Sequence, residues 1–171
     1  AEIAELIALA AQPGLPAIQK AQRPEFMPLS FAQERLWFID RLEGSTHYHI
    51  PAVLRIKGNI DRKLLENAFQ TVLQRHESLR TVFIENDGLG YQQVMEDPDW
   101  KLGFSVIDLE YQAHSIIRES IQKPFELAQD AMLRADLLQL KADEHLLVVV
   151  LHHIAADGWS MGLLVKEMKF L

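Results

Sequence analysis

The run Leu146-Leu147-Val148-Val149-Val150-Leu151 restricts the fold more than any other segment. A strand with one face in water alternates apolar and polar residues, whereas a strand covered on both faces does not have to. The run therefore reads as a central strand, and the rest of the chain must supply the layers that cover it. It is far too short to cross a bilayer, which takes about 20 apolar residues. With 171 residues, 49% of them apolar and 24% charged, the chain is of one-domain size and can bury a core without staples.

Covering elements are legible on both sides of this run. Ser30 precedes FAQERLWFIDRL with Gln33 three residues on, the spacing of a capping box. The helix that starts there carries Phe31, Leu36, Trp37, Phe38, Ile39 and Leu42 and is expected to be well buried. YHIPAVLRIKG alternates roughly like a strand, and Pro51 within it argues for an edge position or a break. Asp61 can cap the next helix, whose stripe is Leu64, Leu65, Ala68, Phe69, Val72 and Leu73, ending near Arg75-His76. Leu79 to Glu85 reads as a strand and Asn86-Asp87-Gly88 as a turn. Tyr91 to Met95 and Leu102 to Val106 are further strand candidates, residues 111–122 a helix, Met132 to Leu140 a strand, and Asp143-Glu144 the turn after it. A last helix is expected over Gly158 to Phe170, with Met161, Leu164, Val165 and Met168 inward. The mixture is α/β or α+β.

The N-terminal stretch has helical apolar spacing at Ile3, Leu6, Ile7 and Ala10, and Glu2 and Glu5 stand where a signal peptide would be basic. Pro13, Gly14, Pro16 and Pro24 then make residues 11–28 an extended linker, with the main domain starting near Glu25. At the other end the last helix is still running at Leu171 without a capping glycine, which points to a fragment. Net charge is −7, from 17 Lys+Arg against 24 Asp+Glu, and nothing basic is clustered enough to hold nucleic acid. The chain has no cysteine, so disulfides and thiolate-bound metals are excluded and a reducing cytosol is the simplest setting. His47 and His49 lack a third ligand and read as surface or loop histidines, so no metal is expected. Asp108 and Glu110 read as the acidic start of a helix.

Chemistry concentrates just after the central strand, in HHIAADGWS. Strand ends that open into loops are where sheets commonly carry their active groups. A histidine titrates near neutrality and can take or give a proton there. Asp157 lies four residues after His153 and could hold the loop through an arginine, while Gly158 would let the backbone turn sharply and approach a ligand. The competing reading is a pair of core histidines satisfied by backbone carbonyls.

HHIAADGWS resembles the HHxxxDG signature of the condensation domains of nonribosomal peptide synthetases, and of the wider superfamily that includes chloramphenicol acetyltransferase. Two further blocks stand in the family's order: LSFAQERLWFIDRL (residues 29–42) is similar to its opening motif and RHESLRTVF (residues 75–83) to its second. The resemblance spans most of residues 28–160. AEIAELIALAAQ is also similar to the last helix of a carrier domain, which would make residues 1–24 a carrier end plus linker and residues 25–171 the N-terminal lobe of a condensation domain.

The resemblance implies a chloramphenicol-acetyltransferase-like lobe, a mixed sheet flanked by helices. It implies amide formation between a donor acyl or peptidyl thioester and an acceptor aminoacyl thioester, both held on the phosphopantetheine of carrier domains, with no cofactor or metal bound directly. His153 would be catalytic, as a base or as a group that orients the amine and stabilises the tetrahedral intermediate. His152, its neighbour on a strand, would face the core. Asp157 would pair with Arg80 or Arg75, both in the second block, and Gly158 could turn its N–H toward the oxyanion. Trp159 is expected to pack. The intact histidines argue against a cyclisation domain, DGWS against an epimerisation domain, and SFAQERLWF for an L-configured donor. Implied partners are upstream and downstream carrier domains, an adjoining adenylation domain and the C-terminal lobe that closes the tunnel, without which the fragment is expected to be inactive. A non-catalytic carrier-docking module and an acyltransferase using a soluble thioester are the alternatives.

Overall fold

The computed structural model of the chain describes residues 22–24 and 26–168. The helix expected over residues 2–10, the linker as far as residue 21, the domain start at Glu25 and the final residues 169–171 lie outside the described residues.

Among the described residues, seven strands and four α-helices follow one another as β1 (Met27–Pro28), α1 (Phe31–Glu43), β2 (His49–Lys57), α2 (Arg62–Arg75), β3 (Thr81–Asn86), β4 (Leu89–Val94), β5 (Gly103–Val106), α3 (Glu110–Gln122), β6 (Leu133–Lys141), β7 (Glu144–His152) and α4 (Gly158–Met168). They form two sheets. One is three-stranded and antiparallel, in the order β1-β4-β3. The other is four-stranded and mixed, in the order β2-β7-β6-β5, with β5 parallel to β6 and the other pairs antiparallel. The turn between β3 and β4 is Asp87-Gly88, both at positive φ (51° and 79°), which is the geometry two-residue hairpins require and asparagine, aspartate and glycine tolerate. The linker is shorter than expected, because Met27 and Pro28 pair with Gln92 and Tyr91. The turn after β6 is one residue earlier than expected, at Ala142-Asp143, since Glu144 already belongs to β7.

The central run is where its composition puts it. β7 is flanked by β2 and β6, and Leu147, Val149 and Leu151 pack with Phe69, Val72 and Leu73 of α2 and Leu164 of α4. On the opposite face Leu146, Val148 and Val150 pack with Ala113 of α3, Phe125 and Leu138. Each leucine, valine or phenylalanine side chain taken fully out of water contributes about 1.5–3 kcal/mol. Pro51 is accommodated because β2 is the edge strand, where one missing N–H is harmless. Asp61 caps α2 by accepting from the N–H groups of Lys63 and Leu64.

α1 departs from expectation. Ser30 and Gln33 form the capping box, yet none of the helix's side chains is buried. Leu36, Trp37 and Ile39 are half-buried, while Phe31 is 92% exposed and Phe38 and Leu42 also face outward. The apolar positions run most of the way round this helix, and the described residues cover only one side of it. Leu64 of α2 is likewise 66% exposed, at the outer edge of its stripe. Of the four α4 residues expected inward, Leu164 is buried and Met161, Val165 and Met168 are half-buried.

Candidate active site

The two histidines have opposite surroundings, as neighbours on a strand should. His152 is the last residue of β7 and is fully buried (0% exposed). His153 is exposed, and its backbone N–H donates to Tyr48 O at 2.9 Å, so the chain stays anchored to the start of β2 for one residue beyond the strand. The next bonds set the loop: Ala155 N–H donates to His152 O at 3.1 Å, and Ile154 N–H donates to the ring nitrogen His152 Nδ1 at 3.1 Å.

That last bond assigns the tautomer. Nδ1 accepts, so in the neutral ring the proton is on Nε2, and Nε2–H donates to Ser45 Oγ at 2.8 Å. Ser45 is 2% exposed and its hydroxyl in turn donates to a carboxylate oxygen of Asp40, in the last turn of α1. Gly44 makes the connection possible: at φ 81° it ends α1, its N–H returns to Asp40 O at 3.0 Å, and the chain turns so that Ser45 comes under His152. The ring of His152 also meets those of His49 and Phe125, each at 5.7 Å between centroids and edge-on. Burial first, and then the proximity of His49 and His153, push the His152 pKa down to about 4. The ring is neutral at pH 7.

Of the two histidines expected at the surface or in a loop, only His47 is exposed. His49 is half-buried, with Nδ1–H donating to Ile121 O at 2.6 Å and its ring edge-on to Phe125 at 5.1 Å. Its Nε2 is buried without a hydrogen-bond partner in the described residues. Burial lowers its pKa also, outweighing the bond to Ile121, and Arg134 adds to the lowering. Arg134 stacks on Phe125 at 4.2 Å and donates to the carbonyls of Ser120, Lys123 and Pro124.

Asp157 does not meet either expected arginine. It stands immediately before α4 and accepts from Ser160 N–H at 2.9 Å and Ser160 Oγ at 2.7 Å, while its own N–H lies 3.2 Å from Ser160 Oγ. This is an N-cap, and the hydrogen bond from the Ser160 hydroxyl, with that from its N–H, holds the carboxyl below the usual carboxylate range. Arg75 instead bonds Glu167 at 3.0 Å, and His76 Nε2 lies 2.9 Å from the same carboxylate, tying the end of α2 to α4. Arg80 donates to the carbonyls of Met95 and Gln74 and lies 3.8 Å from Glu77. Both guanidiniums are thus engaged with nearer acceptors. Between α2 and α4 a cleft of about 100 Å³, lined by His76, Leu79, Ala155, Ala156, Ser160 and Leu163, runs beneath the loop.

Gly158 opens α4 at an ordinary backbone conformation, so the sharp turn expected of it is absent; a Cβ there would meet nothing within 4 Å. Trp159, expected to pack, is 79% exposed. Among the described residues no group of three or more His, Cys, Asp or Glu side chains could hold a metal ion, and no helix is long and apolar enough to cross a membrane. Sequence reasoning missed Asp40, Ser45, His49 and Phe125 as neighbours of the loop. It also missed the Asp-x-x-Ser spacing before α4, which is a capping signal visible in the chain itself.

A mixed sheet covered on both faces, with a histidine pair where its central strand runs out, is the chloramphenicol-acetyltransferase-like fold of condensation domains. Residues 23–170 match the sequence model of the Condensation domain family, and the chain belongs to that family. It is 40% identical over 160 residues to a dimodular nonribosomal peptide synthase of Bacillus subtilis (strain 168), covering 92% of this chain and 7% of that protein. It is 38% identical over 154 residues to bacitracin synthase 2 of Bacillus licheniformis, covering 88% of this chain and 6% of the relative. Among solved structures, it is similar to the X-domain in its complex with OxyB from teicoplanin biosynthesis (TM-score 0.82, 32% identity, 91% of this chain and 34% of that one). It is similar too to the starter condensation domain of rhizomide synthetase RzmA (TM-score 0.77, 25% identity, 85% of this chain and 36% of that one). The chain therefore spans under a tenth of these curated relatives and about a third of the solved chains.

Proposed function

We propose that this lobe carries the reaction centre for amide bond formation between two carrier-bound thioesters in nonribosomal peptide synthesis, with His153 as its central group. The observation that carries the reading is the contrast at the end of β7: His153 is exposed and anchored through its backbone, beside a buried neutral histidine that cannot compete for the proton. In the reaction the acceptor's α-amino nitrogen forms a bond to the donor carbonyl carbon and the C–S bond breaks. The proton lost by the amine goes to the departing thiolate, with His153 as relay or as the group that orients the amine. A positioned base is worth about 10²–10⁴ in rate, and the alignment of two tethered reactants can be worth more. Gly158, with open space where its side chain would be, suits close approach of a substrate. Asp157 serves His153 by starting α4 where it does, and the part assigned to Arg75 is likewise indirect, through Glu167 and the position of α4. Arg80, with buried Nε and three partners, fixes the end of the second block. The opening block supports an L-configured donor. The partners of this reading are a carrier domain on each side, an adenylation domain and a second lobe, in a cytosolic setting that the cysteine-free composition supports.

The test uses the chain continued past Leu171 into a second lobe, with loaded donor and acceptor carriers and dipeptide followed by mass spectrometry. His153→Ala is expected to lower the rate by about 10² or more while the protein stays folded. A folded variant at near wild-type rate would sink the reading. The 171 residues alone are expected to make no dipeptide. A second reading, a non-catalytic docking module, is favoured by the similar X-domain, whose structure is a complex with OxyB. It predicts undiminished carrier binding with no dipeptide from wild type.

A further inference from the structure

We infer that Asp40 and Ser45 are positioning residues of the reaction centre: the Asp40–Ser45–His152 relay selects one tautomer of His152, and through it sets the loop that presents His153. The inference rests on the catalytic reading of His153 given above.

Every bond in the relay has a direction. Ile154 N–H can only donate, so His152 Nδ1 must be without a proton. Nε2 then carries the hydrogen and needs an acceptor, because a buried N–H without one is costly. Ser45 Oγ is that acceptor at 2.8 Å. A serine hydroxyl alone would not choose, since it can donate as readily as it accepts. Asp40 removes the choice: a carboxylate can only accept, so the Ser45 hydrogen points to Asp40 and the serine lone pairs face His152. Were Ser45 free to donate to Nε2, the ring would carry its proton on Nδ1, facing the N–H of Ile154. The loop bond would become a repulsion between two hydrogens, at a ring sealed from solvent.

The consequence falls on His153, which lies between the two fixed points. On one side the His152 ring is held by Ser45 and on the other Ile154 N–H is held by that ring. The remaining groups around the ring are His49 from β2 and Phe125, whose edges close it in; His49 Nδ1 is committed to Ile121 O and its buried Nε2 makes no hydrogen bond among the described residues, so Ser45 Oγ is the acceptor that His152 Nε2–H reaches. The relay draws its parts from the end of α1, the turn after it and the end of β7, so that α1 is coupled to the reaction centre without touching substrate. Displacement of a reacting group by about 1 Å can cost roughly 10²-fold in rate.

Long-range ¹H–¹⁵N correlation spectra of the 171-residue chain read the tautomer directly. His152 is expected to carry its proton on Nε2, uncharged, throughout pH 5.5 to 8. Ser45→Ala and Asp40→Leu are expected to mix or invert the tautomer, and Asp40→Asn, whose amide oxygen still accepts, to restore it. In the chain continued past Leu171, Ser45→Ala is expected to lower kcat for dipeptide formation roughly 10- to 100-fold with KM for the loaded carriers unchanged, and Asp40→Asn to keep most of the rate. A wild-type His152 protonated on Nδ1, or charged at neutral pH, overturns the inference without any variant having to fold. So does a Ser45→Ala kcat within twofold of wild type in a protein where His153→Ala abolishes the reaction. If His153→Ala is itself near wild type while the tautomer behaves as expected, the catalytic reading fails and the relay's part in catalysis falls with it.

Discussion

His152 is sealed from solvent, and its two ring nitrogens are already committed in the neutral form. Adding a proton would break the bond from Ile154. Its folded pKa of about 4 lies below the unfolded value of about 6.5, so at intermediate pH the unfolded chain binds the proton and the folded chain does not. The contribution to stability is complete above pH 6.5 and is lost as pH falls from there to about 4; at about 1.4 kcal/mol per pH unit it is worth up to ~3 kcal/mol. His49, also lowered by burial, acts with the same sign. Urea midpoints at pH 7.5 and 4.5 should therefore separate more in wild type than in His152→Asn, and equal separations would remove the argument. Asp157 makes a second residue-scale prediction. As the cap of α4, its replacement by Ala should cost about 1 kcal/mol in thermal or chemical unfolding, and Asp157→Asn should cost much less. The sequence marked His152 and His153 through a local signal, two histidines at the end of an apolar strand. Ser45 and Asp40 have no such mark, because only the register of β2 against β7, which sets His49 opposite His152, brings them beneath the ring. Asp157 was expected to hold the loop through an arginine, but its partner is Ser160, three residues on, and the Asp-x-x-Ser capping signal went unread.

Periodicity was reliable for the elements where both a pattern and a covering layer exist. β7 and β6 were legible as strands, and so was α2, with its aspartate cap. What periodicity does not report is how much of an apolar face finds a cover, which is why α1 looked buried in sequence and is not. The same distinction separates two leucines. Leu138 on β6 is 0% exposed and Leu64 on α2 is 66% exposed. Leu138→Ala is expected to cost about 2–5 kcal/mol, through lost burial and the cavity left behind. Leu64→Ala should stay within about 0.5 kcal/mol. Equal losses from the two, measured by denaturant unfolding, would contradict the layer arrangement. The three-stranded sheet was less legible than the mixed one: its strand at Met27–Pro28 is two residues long and includes a proline, too little to register as a pattern.

On the scale of the whole molecule, the outward side of α1 stands out, with Phe31, Phe38 and Leu42 a helical face apart from the mixed sheet's core. Exposed apolar faces of this kind favour association. The 171-residue chain should show concentration-dependent self-association in sedimentation velocity, reduced in a Phe31→Ser/Leu42→Ser variant whose thermal midpoint is close to wild type. Unchanged association in a folded variant would locate the sticky surface elsewhere. Such a surface is invisible to composition, since 49% apolar residues describe a buried and an exposed phenylalanine alike.

The strand order carries a consequence in time. Among the described residues β2 has a single neighbour, β7, whose paired residues lie up to about a hundred positions later in the chain. During synthesis β2 emerges early and waits for its partner until β7 is made, whereas the β3–β4 hairpin, closed by Asp87-Gly88, can form as soon as it leaves the ribosome. Proline in the waiting strand is useful on that account, since a segment that cannot offer every backbone N–H is a poorer template for a neighbouring nascent chain. The histidine loop, anchored to Tyr48 and Ser45, is then among the last parts of the fold to take shape.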